Sequence, residues 1–139
     1  MFPSKHFFPF LCAIIITTLS FAQQEHQDST SMITHASYPY PIQKIEIDPG
    51  IEIAYMDEGE GPYTLLFIHG LGSYAPAWNK NLGELAEKYR CIALDLPGYG
   101  QSEKGDYPFS MAFFAEAVEA FIDSLGLENI VLVGHSMGG

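Results

Sequence analysis

The spacing of apolar and polar positions changes rhythm several times along this chain. Ile42, Ile45 and Ile47, then Ile51, Ile53 and Tyr55, form two β-type stretches parted by Asp48-Pro49-Gly50. A Pro-Gly turn between apolar runs predicts an antiparallel hairpin. Gly59-Glu60-Gly61-Pro62 then breaks the pattern. Three short, nearly unbroken apolar runs follow at 63–68, 91–96 (interrupted by Asp95) and 130–133. Such runs suit strands covered on both faces, as in a parallel sheet. Between them the period becomes helical. Trp78, Leu82, Leu85 and Tyr89 recur at spacings of three and four. So do Phe114, Val118, Phe121, Ile122 and Leu125, with Glu116, Glu119 and Asp123 on the opposite side. Ser110 is placed to cap the second helix and Gly126 to stop it. Strand and helix alternating in this way predict an α/β fold with a mostly parallel sheet behind the hairpin.

The first 37 residues read differently. Lys5 and His6 precede an apolar run at 7–21, and Ser20-Phe21-Ala22 puts small residues at the −3 and −1 positions of a cleavage site. This predicts a secretory signal peptide over 1–22 and export to a periplasmic or extracellular space. Residues 23–37 are rich in Gln, Ser, Thr and His and read as a polar tether, so the folded part is expected over 38–139. Once the leader is removed, no remaining run is long enough for a membrane span. Cleavage also leaves Cys91 as the single thiol, in an apolar strand, where a buried structural role is expected over a nucleophilic one.

Composition narrows the choice of partners. Of 139 residues, 47% are hydrophobic and 14% aromatic, which excludes a chain too polar to build a core. Lys and Arg number 6 against 17 Asp and Glu, a net charge of −11. Nucleic acid is therefore not an expected partner, because phosphate contacts need clustered cations. No Cys/His cluster has metal-ligand spacing, and no Gly-rich loop has the form of a phosphate cradle, so neither a metal nor a cofactor is expected.

The chemistry is concentrated at the carboxyl ends of the apolar strands, where open α/β sheets place their sites. Gly134-His135-Ser136-Met137-Gly138 follows the last strand. A Ser in Gly-x-Ser-x-Gly can sit on a tight strand-to-helix turn that lifts its hydroxyl above the sheet, with glycines where a Cβ would clash. Ser136 is thus the expected nucleophile. His69-Gly70-Leu71-Gly72 follows the strand at 63–68. Acyl transfer needs two N–H donors for a transient oxyanion, and the backbone N–H groups of Leu71 and Met137 are the candidates. His69 is expected to pack and hydrogen-bond within its loop. Asp95-Leu96-Pro97-Gly98-Tyr99-Gly100-Gln101-Ser102 makes a sharp turn after the strand at 91–94, with Asp95 accepting backbone N–H bonds.

In this order the His-Gly-Leu-Gly, Asp-Leu-Pro-Gly-Tyr-Gly-Gln-Ser and Gly-His-Ser-Met-Gly-Gly segments resemble the α/β-hydrolase superfamily over residues 42–139. The Ser-centred elbow is similar to that of single-domain esterases, lipases and carbon–carbon bond hydrolases. The resemblance implies an acyl-enzyme hydrolase acting on a small-molecule ester or related acyl bond. Carbon–carbon bond hydrolysis and cofactor-free perhydrolysis remain open as alternatives. Relatives that act on epoxides or haloalkanes carry Asp at the nucleophile position, and Ser136 argues against both. The family triad runs Ser, acid, His. Here only three residues follow Ser136, and His26, His35, His69 and His135 are not credible bases. The family sheet has eight strands, whereas about five are legible here. The expectation is therefore the N-terminal half of a hydrolase, inactive by itself, or a non-catalytic binding protein built on the same frame.

Overall fold

The computed structural model describes residues 37–48 and 50–139, so the expected leader over 1–22 and most of the tether lie outside the described residues. Five strands form one sheet: β1 (Ile42–Asp48), β2 (Ile51–Glu58), β3 (Thr64–Ile68), β4 (Arg90–Leu94) and β5 (Ile130–Gly134). Their order is β1-β2-β4-β3-β5. β1 and β2 make the expected antiparallel hairpin, and Gly50 at φ +88 accommodates its turn. β2 also runs antiparallel to β4. β4, β3 and β5 are parallel to one another. Arg90 holds the β2–β4 register with a two-pronged ion pair, Nε to Asp57 Oδ1 at 3.0 Å and a terminal nitrogen to Oδ2 at 2.7 Å.

One helix covers each face. α2 (Met111–Leu125) buries Phe114, Ala117, Val118 and Phe121. Phe114, Val118 and Phe121 pack with Ile53, Tyr55, Leu66, Ile92 and Leu94 from the sheet and with Leu96 just beyond it. A fully buried side chain of this size contributes roughly 1.5–3 kcal/mol, so this face carries most of the apolar stabilisation. The Ser110 side chain accepts from the Phe113 N–H at 3.2 Å, and Gly126 ends the helix at φ +58, both as the sequence predicts. The opposite face is thinner. It is built from Met56, Phe67, Ala75, Leu82, Cys91 and Ala93, with Trp78, Leu85 and Tyr89 packed around them. Cys91 is buried, as expected, and burial pushes its thiol pKa up.

The element boundaries differ from the periodic reading in instructive ways. The helical spacing at 78–89 resolves into a 3-10 turn (Ala75–Trp78) and a short helix α1 (Asn79–Leu85). Trp78 and Tyr89 keep their apolar contacts although they lie outside α1, because the turns flanking the helix continue the same face. β4 ends at Leu94, so Asp95 and Leu96 belong to the loop beyond it, and a charged residue inside an apolar run marks a strand end. The segment after β5 is a 3-10 turn (Ser136–Gly138). Val131 and Leu132 on β5 are 46% and 58% exposed.

Candidate active site

Three loops converge at the carboxyl end of the parallel strands. The loop after β5 carries Ser136, whose φ is +56. This is left-handed backbone, costly for any residue with a Cβ. The close packing around it explains why the chain accepts that cost. A Cβ on Gly134 would run into the Gly138 carbonyl oxygen, and one on Gly138 would run into that of Ile68. The two glycines let the turn fold back against β5 and β3. His135 N–H donates to Ile68 O at 3.2 Å, extending the β3–β5 pairing by one bond and tying the turn to the sheet. Ser136 is exposed, and among the described residues its hydroxyl has no hydrogen-bond partner.

The loop after β3 faces Ser136 directly. A Cβ on Gly70 would lie 3.2 Å from Ser136 Cβ and 3.1 Å from the His135 ring. The two loops therefore touch at Gly70, and a larger residue there would press on the Ser136 turn. Both ends of the β3 loop are held by the loop that follows β4. At the first end, Leu96 N–H donates to His69 Nε2 at 3.1 Å, and His69 Nδ1 lies 2.8 Å from Gly70 O. With Nε2 accepting and Nδ1 donating, His69 is the neutral imidazole. Burial lowers its pKa further from the ordinary value. Both ring nitrogens are occupied, so His69 is a structural residue, as expected from the sequence. At the second end, Ala75 N–H donates to Asp95 Oδ1 at 2.6 Å. Between these anchors Leu71 is 74% exposed.

Asp95 does more than the backbone-acceptor role read from sequence. It is 0% exposed and takes three donors: Ala75 N–H, Gln101 N–H at 2.7 Å, and the Tyr38 hydroxyl at 2.5 Å. Tyr38 escaped the sequence reading because its partner is 57 positions away and no local pattern joins them. Burial first, and then the hydrogen bond to Asp95, raise the Tyr38 pKa and keep its proton in place. Ser102 completes the turn: its hydroxyl donates to Asp95 O at 2.5 Å and accepts from Ala54 N–H at 2.8 Å.

Above Ser136 lies a cavity of about 320 Å³ lined by Gly70, Leu71, Trp78, Asn81, His135 and Ser136, among others. In the sequence Trp78 stands only in a helical stripe and Asn81 carries no signal of its own; their place at this cavity depends on how the 3-10 turn and α1 meet the sheet. The N–H groups of Leu71 and Met137 find no acceptor among the described residues. Among the same residues no histidine nitrogen hydrogen-bonds to Ser136, and no group of three or more His, Cys, Asp or Glu could hold a metal ion. No helix among them is long and apolar enough to cross a membrane.

Comparison with known proteins accords with this architecture. The family model for the alpha/beta hydrolase fold matches residues 63–139, more than half of the chain. The protein belongs to the α/β-hydrolase family. It is 46% identical over 90 residues to the dihydrolipoyllysine-residue acetyltransferase component of the acetoin cleaving system of Cupriavidus necator, covering 65% of this chain and 24% of that one. It is 34% identical over 95 residues to epoxide hydrolase 4 of Mus musculus, covering 66% and 26%. Among solved structures, the haloalkane dehalogenase DpaA of Paraglaciecola agarilytica superposes with a TM-score of 0.67 at 31% identity, covering 73% of this chain and 37% of that one. The chain thus spans about a quarter of the curated relatives' length and just over a third of the solved one's. These relatives carry different chemistries on one frame, so the frame identifies a hydrolase-family protein and the site must argue the reaction.

Proposed function

We infer that this protein is a hydrolase of an ester or related acyl bond in a small molecule, with Ser136 as the nucleophile. The observation that carries this reading is the exposed Ser136, held at φ +56, beneath a cavity it helps to line. In the first step Ser136 Oγ bonds to the acyl carbon, its proton passes to a base, and the carbonyl electrons move onto oxygen. The backbone N–H groups of Leu71 and Met137, both without an acceptor among the described residues, are the donors for that oxyanion. The leaving group departs with a proton, and water then releases the acyl group from Ser136. The base and its acid partner must come from outside the described residues, since without them the hydroxyl is a weak nucleophile. The carboxylate nucleophile that the family's epoxide and haloalkane hydrolases use has no counterpart at this position.

The test is a fluorophosphonate probe applied to the natural protein that carries these residues. Peptide mapping should find the label on Ser136. Absence of label on folded protein would sink the reading and favour a non-catalytic ligand-binding role, for which the absence, among the described residues, of a base bonded to Ser136 is the supporting observation. Export by cleavage after Ala22 belongs to the same proposal, and N-terminal sequencing of secreted protein beginning at Gln23 is its check.

A further inference from the structure

We propose that Tyr38 is a positioning residue for the oxyanion loop: its hydroxyl locks Asp95, and Asp95 holds the loop that carries the Leu71 N–H. The inference rests on the acyl-transfer reading of Ser136. Three observations support it. First, residues 70–75 leave β3 and are fixed at both ends by the loop that follows β4, through His69 to Leu96 N–H and through Ala75 N–H to Asp95. The direction of the Leu71 N–H, lying between these anchors, depends on both. Second, Asp95 Oδ2 is held by Tyr38 and Gln101 N–H, which leaves Oδ1 turned to Ala75. Removing the Tyr38 hydroxyl takes away one of three donors from a fully buried side chain, which can then rotate or admit water. Third, Tyr38 also meets the loop itself, its ring lying 5.8 Å from that of Tyr74. Tyr38 therefore braces the loop both through the carboxylate and by ring contact. His69 holds one end rigidly, so loosening the other would swing the loop about His69 and turn the Leu71 donor away from Ser136.

Tyr38→Phe in the natural protein separates the possibilities, because it keeps the ring against Tyr74 and deletes only the hydroxyl. Amide hydrogen exchange read over residues 70–75 should quicken about tenfold, with residues 111–125 unchanged, as local opening without global loss predicts. Phenylboronic acid, which forms a tetrahedral anion on a reactive Ser, should bind about tenfold more weakly. With p-nitrophenyl acetate, kcat should fall about tenfold while KM stays within twofold, since an oxyanion donor acts in the transition state. Unchanged exchange at 70–75 overturns the brace. Faster exchange with unchanged boronate affinity overturns its catalytic purpose. If the unaltered protein neither hydrolyses the ester nor takes the fluorophosphonate label, the acyl-transfer reading fails, while the exchange result still reports on the brace. Should Tyr38→Phe not fold, Tyr38→Lys, whose ammonium reaches about as far as the hydroxyl and donates to the Asp95 carboxylate, takes its place: fast exchange and weak boronate binding in a folded Tyr38→Lys are not expected and would count against the brace.

Discussion

Two serines close loops at the same end of the sheet, and they are treated in opposite ways. Ser102 is 3% exposed, and its hydroxyl is engaged on both sides, donating to Asp95 O and accepting from Ala54 N–H. Ser136 is exposed, stands on strained backbone, and has no partner for its hydroxyl among the described residues. Both lie in Gly-rich segments after a β-strand. The difference teaches that the loop after β4 uses its polar groups to hold the architecture, whereas the loop after β5 leaves them free to meet something else. A hydroxyl that gives its proton to one buried backbone group and holds another by a lone pair cannot be a nucleophile without breaking the fold. An uncommitted one on a rigid turn can.

The sharpest way to break this contrast is Ser136→Ala. On the reading above it should lower esterase turnover by about 10⁴–10⁶-fold, measured against a p-nitrophenyl ester, because the residues of a triad act as a unit. Ser102→Ala should instead lower esterase turnover by no more than about tenfold and show itself in the melt. It leaves the Ala54 N–H buried without an acceptor and should cost about 1–3 kcal/mol in denaturant unfolding. Gly138→Ala drives a Cβ into backbone at Ile68 and His69, which cannot give way as a side chain could. Overpacking of this kind costs about 1–3 kcal/mol, and the Ser136 label should be lost with it because the turn must move.

A fourth prediction concerns pH. Burial lowers the His69 pKa in the folded state below its ordinary 6.5. Below that value the unfolded chain takes up a proton that the folded protein refuses, so stability falls as pH drops from about 6.5 toward the lowered folded pKa. His69→Gln removes this linkage, and a plot of melting temperature against pH between 7.5 and 5 should flatten. An unchanged slope would mean that another group governs the acid limb. The smallest expected effect reverses in sign: Ser136→Gly relieves the left-handed strain and should stabilise by about 0.5–1 kcal/mol, while removing the hydroxyl that the reaction needs.

Much of the frame was legible in the chain. The hairpin, the parallel strands, the Ser110 cap and the Gly126 stop all follow from local rules that operate within a few residues. The glycines flanking Ser136 were legible for the same reason, since the turn leaves room only for hydrogen at those positions. The helical stripe at 78–89 misled on length because apolar spacing reports which side of a segment is covered, and a 3-10 turn followed by a short helix covers the same side. The roles of Tyr38, Trp78 and Asn81 were not legible, because each depends on a neighbour brought in from another strand or turn.

The sequence by itself determined the alternation of strand and helix, the hydrolase-family frame, and the identity of the one serine on a strand-to-turn elbow. Periodicity, capping and steric exclusion at glycine act over a few residues, so they leave a readable local trace. Tertiary structure alone decided that His69 is spent on Leu96 and Gly70, that Asp95 gathers three donors from three segments, and that Gly70 rests against Ser136. Hydrogen bonding and burial are properties of assembled neighbours. A residue's type states what it can donate or accept, and only the folded chain settles whether that capacity is already used.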